Sequence, residues 1–266
     1  MIEYIYLGRV PYDEALTLQG ELVELRRAGR IGNTLLLLEH PPVLTLGRNA
    51  DRSNVLASDA MLASRGVTLH HINRGGDVTY HGPGQIIGYP IFDLRSMKAA
   101  SGNRLGPVDF VRLMEEALIR FCGTYGVRAG RIPGLTGVWC GPSVSESGLD
   151  RKIAAIGIHV SRGITSHGFA FNLTTNLSDF QLINPCGITD KPVTSLNLEV
   201  SDSARLPAFE AAAHEAARQF GMVFAQPILA VESLHALRAR AAEDTPLQIP
   251  RQIEQLVGLP DHPVRA

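Results

Sequence analysis

Cys186 stands in a Pro185-Cys186-Gly187 turn, a place where side chains are often accessible. A thiol of ordinary acidity, with a pKa of ~8.5, is only about 3% thiolate at pH 7, so a nucleophilic cysteine needs a positive charge or a base beside it. Lys152, in Arg151-Lys152-Ile153-Ala154-Ala155-Ile156-Gly157, could be that group. The 25 basic residues include only three lysines, Lys98, Lys152 and Lys191, so each lysine raises the question of what arginine could not do there. Taken alone the two residues carry little. A lone cysteine is more often packed than catalytic, a lysine at a strand start is more often a solvated charge, and nothing in the residues themselves pairs them.

A second source of chemistry is the run Arg74-Gly75-Gly76-Asp77-Val78-Thr79-Tyr80-His81-Gly82-Pro83-Gly84-Gln85, the densest polar and glycine-rich segment of the chain. Glycines let a backbone come close to a ligand and offer bare N–H groups, while Thr79, Tyr80 and His81 supply hydroxyl and imidazole partners. A lone Gly-Gly would read as a tight connection between strands. With Arg, Thr, Tyr, His and Gln beside it, the run reads as a binding loop.

These residues need elements to hold them. Ile2 to Leu7 suits a strand, and Pro11 opens a helix with Leu18, Leu22 and Leu25 on one face. Thr34 to Glu39, Val43 to Leu46, Val67 to Ile72 and Gln85 to Leu94 read as further strands, separated by His40-Pro41-Pro42, a longer loop from Gly47 to Arg65, and the glycine-rich run. Asp109 can cap a helix whose Phe110, Leu113, Met114, Ala117, Leu118 and Phe121 form one apolar face. Lys152 to Val160 and Ile164 to Leu173, joined by Ser161-Arg162-Gly163, predict a hairpin with Lys152 and Phe171 at the same end. A helix from about Ala208 to Phe220, with Gly221 as a stop, precedes a polar, proline-punctuated tail. Strands grouped early and late with helices between them predict an α+β fold of mixed and antiparallel sheets with packed helices. The expected division is a catalytic domain over 1–225 and a C-terminal helical or irregular extension over 226–266.

At 266 residues, 45% hydrophobic and 19% charged, the chain is an ordinary globular protein with room for one full core. A net charge of −1 gives no basic field for a phosphate backbone, so nucleic acid is not an expected partner. No window suits a bilayer span or an export signal, so a membrane is not expected either. The three cysteines lack any CxxC pair, which suggests neither a disulfide framework nor a zinc site and fits a reducing, cytoplasmic compartment. Cys122, in the Phe110 helix, and Cys140, in an apolar Val-Trp-Cys strand, read as core residues.

Several segments together carry a resemblance. Arg74 to Gln85 followed by Ile86-Ile87-Gly88-Tyr89-Pro90, then Gly137-Val138-Trp139, Lys152 to Gly157, His167-Gly168-Phe169-Ala170-Phe171-Asn172, Pro185-Cys186-Gly187-Ile188 and Val193-Thr194-Ser195 are similar to the lipoyl(octanoyl) transferase family, in order and spacing over roughly residues 30 to 200. The resemblance implies a fold shared with biotin and lipoate-protein ligases, a Cys/Lys dyad on Cys186 and Lys152, and an acyl pocket lined by Arg74, Gly75, Gly76, Asp77, Val78, Thr79, Tyr80 and His81, by Ala155, Ile156 and Gly157, and by Gly168, Phe169 and Ala170. It implies no metal, nucleotide or other cofactor. Its implied partners are octanoyl-acyl carrier protein as donor and, as acceptors, lipoyl domains of 2-oxoacid dehydrogenase complexes and the glycine-cleavage carrier protein.

The chemistry suits the residues. Exchanging one thioester for another costs little, and aminolysis by a target lysine then gives a more stable amide, so ATP is not needed. An ATP-dependent lipoate or biotin ligase on the same scaffold would form an acyl-adenylate and need no cysteine; the presence of Cys186 and the single arginine of the glycine-rich run argue against it. A non-catalytic acyl-binding module would retain the pocket and form no adduct on Cys186.

Overall fold

Four consecutive leucines, Leu35 to Leu38, are fully buried, and a strand buried on both faces demands a layer on each side. The computed structural model describes residues 1–99, 102–144, 148–184, 191–202 and 206–243. Its main strands are β1 (Ile2–Arg9), β2 (Asn33–Glu39), β6 (Gln85–Ile91), β7 (Gly130–Ile132), β8 (Leu135–Cys140), β9 (Arg151–Ser161), β10 (Ile164–Asn172) and β11 (Ile228–Ala230). Among the described residues they form one eight-stranded sheet in the order β11-β1-β2-β6-β10-β9-β8-β7. β11, β1 and β2 run parallel, and the remaining neighbours are antiparallel.

The leucines of β2 divide between two cores. Leu35 and Leu37 join Phe110, Phe121, Phe171 and Phe220 beneath helices α3 (Pro107–Thr124) and α5 (Phe209–Val223). Leu36 and Leu38 join Leu18, Leu22, Tyr89 and Leu237 beneath α1 (Tyr12–Arg27) and α6 (Leu234–Ala242). On this second side lies a smaller sheet, β4-β3-β5, made of β3 (Val43–Leu46), β4 (Thr68–His71) and β5 (Val78–His81). It has its own core of Leu44, Leu46, Val78, Tyr80, Phe180 and Leu182. This is the α+β arrangement of mixed sheets and packed helices that the sequence predicts.

The hairpin of β9 and β10 forms as expected, with Phe171 opposite Ala154 and therefore at the Lys152 end. Four local expectations change. The glycine-rich run is not loop throughout, because Val78–His81 pairs antiparallel with β3 as β5. The segment from Gly47 to Arg65 contains a 3₁₀ turn, Arg52–Asn54, and a short helix, α2 (Asp59–Ser64). Gly221 does not stop α5, which runs to Val223; a Cβ there would stand 3.0 Å from the Gln226 carbonyl and 3.2 Å from Ile228 Cβ, so the glycine lets the helix approach the chain entering β11. Asp109 lies within the first turn of α3, whose N-cap is Gly106, so its carboxylate favours the helix dipole and does not cap it. Of residues 226–266, 226–243 are described: β11 pairs with β1, and Leu237 and Ala241 of α6 enter the second core.

One buried charge ties α3 to β8. Glu115 is wholly buried; its Oε2 accepts from Arg112 Nη1 at 2.7 Å and Arg131 Nε at 3.0 Å, while its Oε1 accepts the Gly137 N–H at 3.0 Å. Gly137 has φ +128°, and a Cβ on it would meet the Ala154 carbonyl at 2.6 Å, so this strand start fits β9 only as glycine. Removing a buried partner leaves the remaining polar groups uncompensated. Glu115→Ala is expected to cost about 3 kcal/mol in urea unfolding; a loss under about 0.5 kcal/mol would mean the carboxylate does not anchor β8.

Candidate active site

The alternation of β9 and β10 builds a floor of very small residues. Ala155 faces Ala170 and Gly157 faces Gly168 across the ladder, while Phe169 and Phe171 on the alternate positions enter the first core. Above this floor is a cavity of about 340 Å³, toward the small end of the roughly 300–1,000 Å³ usual for ligand sites. Its opposite wall comes from β5 and the Arg74–Asp77 loop, and its ends from Tyr12, Tyr89, His167 and Lys152.

The loop reaches the floor through its backbone. Gly75 donates its N–H to the Ile158 carbonyl at 3.0 Å, and Gly76 takes φ +88°, a conformation that glycine adopts without strain. Arg74, nearly buried, donates through Nη2 to the Thr45 carbonyl and hydroxyl at 2.7 and 2.9 Å, and through Nη1 to the Gly75 carbonyl at 3.0 Å. The loop is thus stitched to both sheets. Asp77 also lines the cavity and accepts from Asn54 Nδ2 at 2.6 Å.

The pleat of β5 divides the run that the sequence singled out. Thr79 and His81 face the cavity. Val78 and Tyr80 project from the other face into the small sheet's core, where Tyr80 meets Phe180 edge-on and donates its hydroxyl to Asp179 Oδ2 at 2.9 Å, so neither lines the cavity. The other cavity residues read from the sequence, Arg74, Gly75, Gly76, Asp77, Ala155, Ile156, Gly157, Gly168, Phe169 and Ala170, are brought together around it.

Lys152 closes one end. Only 9% of it is exposed, and its Nζ lies 4.7 Å from the centroid of the Trp139 ring, a cation–π geometry when the amine is protonated. Its own N–H donates to the Pro192 carbonyl and its carbonyl accepts from Thr194, each at 2.9 Å, so the chain that follows residues 185–190 is fixed beside it. Cys186 lies outside the described residues. Cys122 and Cys140 are buried among apolar side chains, and burial drives both thiols away from thiolate, Cys140 up to about 12.

Three imidazoles near the cavity are held neutral. Burial, reinforced by His40 and Arg74, pushes His81 down to about 3; burial and Arg74 push His167 down to about 4; burial also takes His40 to about 4. Each has polar partners: His81 Nδ1 meets Gln85 Oε1 at 2.8 Å, His167 Nε2 meets Asn73 Oδ1 at 2.8 Å, and His40 bridges the Val10 carbonyl and the Tyr89 hydroxyl. His167 takes φ +55°, and its N–H donates to the buried Gln19 Oε1 at 2.7 Å. Sequence reasoning did not single out Tyr12, Asn49, Tyr89, Thr136 or His167 as site residues. Tyr89 and His167 lie inside segments quoted for the resemblance; Tyr12 arrives from the start of α1 with no local signal. Among the described residues no group of three His, Cys, Asp or Glu is placed to hold a metal ion, and no helix is long and apolar enough to cross a membrane.

The arrangement can lay an apolar chain on the Ala/Gly floor with its polar end against Lys152. Comparison with known proteins gives the family. Residues 11–218 match the lipoyl protein ligase A/B catalytic domain. The chain is 61% identical over 235 residues to an octanoyltransferase of Acidobacterium capsulatum, spanning 88% of this chain and 94% of that one. It is 50% identical over 256 residues to an octanoyltransferase of Koribacter versatilis, spanning 96% and 97%. Solved structures share the fold at low identity. A bipartite lipoate protein ligase from Thermoplasma acidophilum superposes with a TM-score of 0.65 at 15% identity over 91% of each chain. A lipoate-protein ligase A bound with ATP gives 0.63 at 15% identity over 91% of this chain and 93% of that one. Matched across nearly its whole length, the chain belongs to the lipoyl protein ligase A/B catalytic-domain family and, within it, to the octanoyltransferases, which are acyltransferases.

Proposed function

We propose that this acyltransferase moves an octanoyl group from octanoyl-acyl carrier protein, through a thioester on Cys186, to a lysine of a lipoyl domain in a 2-oxoacid dehydrogenase complex or of the glycine-cleavage carrier protein. The observation that carries the reading is the Ala155, Gly157, Gly168, Ala170 floor ending at the buried amine of Lys152. Phe180, before the segment that holds Cys186, and Val193, after it, both border the space beside Lys152, which supports the pairing of the two residues.

In the first half-reaction the Cys186 thiolate attacks the thioester carbonyl, the carbonyl–sulfur bond to the carrier breaks, and the carrier thiolate takes a proton from the Lys152 ammonium, which is left as neutral amine. In the second, the target amine attacks the new thioester, the bond to Cys186 breaks, and the amide forms while the amine's proton leaves through Lys152. Lys152 first holds the thiolate and then, as neutral amine, accepts the proton. Arginine could do only the former. The neutral histidines do not supply the charge, so the cations at the cavity are those of lysine and arginine.

Mixing the protein with octanoyl-acyl carrier protein in ATP-free buffer is expected to give an octanoyl adduct that maps to Cys186; an adduct on Cys122 or Cys140, or full turnover by Cys186→Ala, would end this reading. Lys152→Arg is expected to form some acyl-enzyme and stall before transfer, so that the thioester accumulates. Comparable losses in the two half-reactions under single-turnover conditions would remove the base role.

The imidazoles also set a pH dependence. A histidine whose folded pKa lies at about 3 or 4, below the ordinary 6.5, binds fewer protons folded than unfolded, so its contribution to stability is complete above about pH 6.5 and is lost as pH falls toward the folded value. The melting temperature is expected to hold steady from pH 8 to 6.5 and to drop already between 6.5 and 5, above the carboxylate range. A flat profile through that window would show that these rings titrate normally in the folded protein.

A further inference from the structure

Beside Lys152, adjoining the acyl cavity, lies a second chamber of about 20 Å³, bordered by Thr79, Gln85, Lys152 and Asn172 with apolar walls from Ala170 and Phe180. That volume admits one oxygen-sized occupant, since about 10–15 Å³ holds a single water. Most of the polar groups around it are already committed. Gln85 Nε2 donates to the Tyr80 carbonyl at 3.2 Å and to Asn172 Oδ1 at 2.9 Å, and its Oε1 meets His81. Asn172 gives one amide hydrogen to the Thr194 carbonyl at 2.9 Å, which leaves the second.

Thr79 stands apart. It is 8% exposed and borders both the chamber and the acyl cavity, yet its hydroxyl makes no hydrogen bond to any described residue. A hydroxyl that opens onto a cavity with no side chain or main-chain group committed to it has its hydrogen available to a group placed there. The position is rigid: Thr79 pairs across the ladder with Thr45, which Arg74 holds, and Asn172 is fixed by Gln85 and Thr194.

We propose that this chamber is the oxyanion site of both half-reactions, with Thr79 Oγ1–H and the second Nδ2 hydrogen of Asn172 as donors. When sulfur, and later the acceptor amine, adds to the carbonyl carbon, the carbonyl π pair moves onto oxygen and that oxygen occupies the chamber beside Lys152. As the C–S bond to the leaving thiolate breaks, the pair returns. The donors are in place before reaction, as such stabilisation requires. The proposal rests on the thioester reading and adds to it two side chains that act on the oxygen and not on sulfur or nitrogen.

The test is Thr79→Val, which keeps shape and removes only the hydroxyl, with Thr79→Ser as its conservative partner. Loss of one oxyanion donor costs on the order of 10²–10³ in rate, so single-turnover acylation and transfer should both fall by about that factor in Thr79→Val, with an unchanged melting temperature, and recover most of the way in Thr79→Ser. A binding comparison excludes a merely structural role. Octanal, which adds a thiolate to give a tetrahedral hemithioacetal, should bind Thr79→Val far more weakly than the parent protein, while octanol should bind both alike. Thr79→Val within threefold of the parent rate, Thr79→Ser as slow as Thr79→Val, or equal weakening of octanal and octanol each overturns the assignment. Cys186→Ala run in parallel separates the two readings: if it is inactive while Thr79→Val is not, only the oxyanion site is lost, and if it turns over normally, the covalent route is lost with it.

Discussion

Gly157 stands opposite Gly168 where β9 meets β10, and neither position has room for a side chain. A Cβ on Gly168 would lie 2.0 Å from the Gly88 carbonyl, and one on Gly157 would lie 2.7 Å from the Gly75 carbonyl. Gly88 in turn has its missing Cβ replaced by the Phe169 ring, 2.1 Å from where that atom would be. Backbone therefore packs on backbone at this point, and the rest follows from it. The loop can settle onto the floor only because Gly157 is bare. Once settled, it carries Arg74 to Thr45 and so fixes the small sheet as the far wall. The same absence of side chains that permits the packing leaves the volume that an acyl chain would fill.

Such a floor does nothing to solvate charge, so the charged and polar groups at its margins are arranged with partners on neighbouring elements. Tyr12 lies against His40, His70 and His81, burial keeps the His40 and His81 rings neutral, and the Arg74 guanidinium donates to main-chain and hydroxyl oxygens of β3 and its own loop. Low polarity around the cavity strengthens every electrostatic contact made inside it. That favours a mechanism in which a few fixed dipoles and one amine act on a small reacting centre, and disfavours free charge on the histidines.

The features that follow from one strand or helix were legible in the sequence. The leucine run of β2, the apolar face of α3 and the short hairpin of β9 and β10 were all read correctly because periodicity and turn residues specify them locally. The cavity positions on β9 and β10 rest on the family resemblance, not on periodicity; in the fold they line one cavity. The reading faltered where partners distant in sequence decide the outcome. Val78 to His81 is an alternating strand of four residues, too short to stand out between glycines, and its pairing with β3 makes it one; the same pairing turns Val78 and Tyr80 away from the site. Gly221 looked like a helix stop because its reason, the approach of the chain at Gln226 and Ile228, lies in tertiary packing. Tyr12 carries no sign of its place, since α1 delivers it from the far end of the chain order.

Lys152 shows how this fold converts tertiary packing into a chemical requirement. Its stem runs past Gly137, where an added Cβ would lie 3.5 Å from Cε, and its amine ends over Trp139. Gly137 and Trp139 belong to β8, whose start is fixed by the buried Glu115 of α3. On the other side, Thr194 bonds to the Lys152 main chain and, through its carbonyl, to Asn172. The amine is thus placed by two independent supports, one from α3 and one from the strand-like segment after residue 190. Asn184, two residues before Cys186, is likewise pinned by its N–H to the Asn54 carbonyl at 2.8 Å. Both ends of the stretch that contains Cys186 are therefore anchored to parts of the protein that also build the cavity.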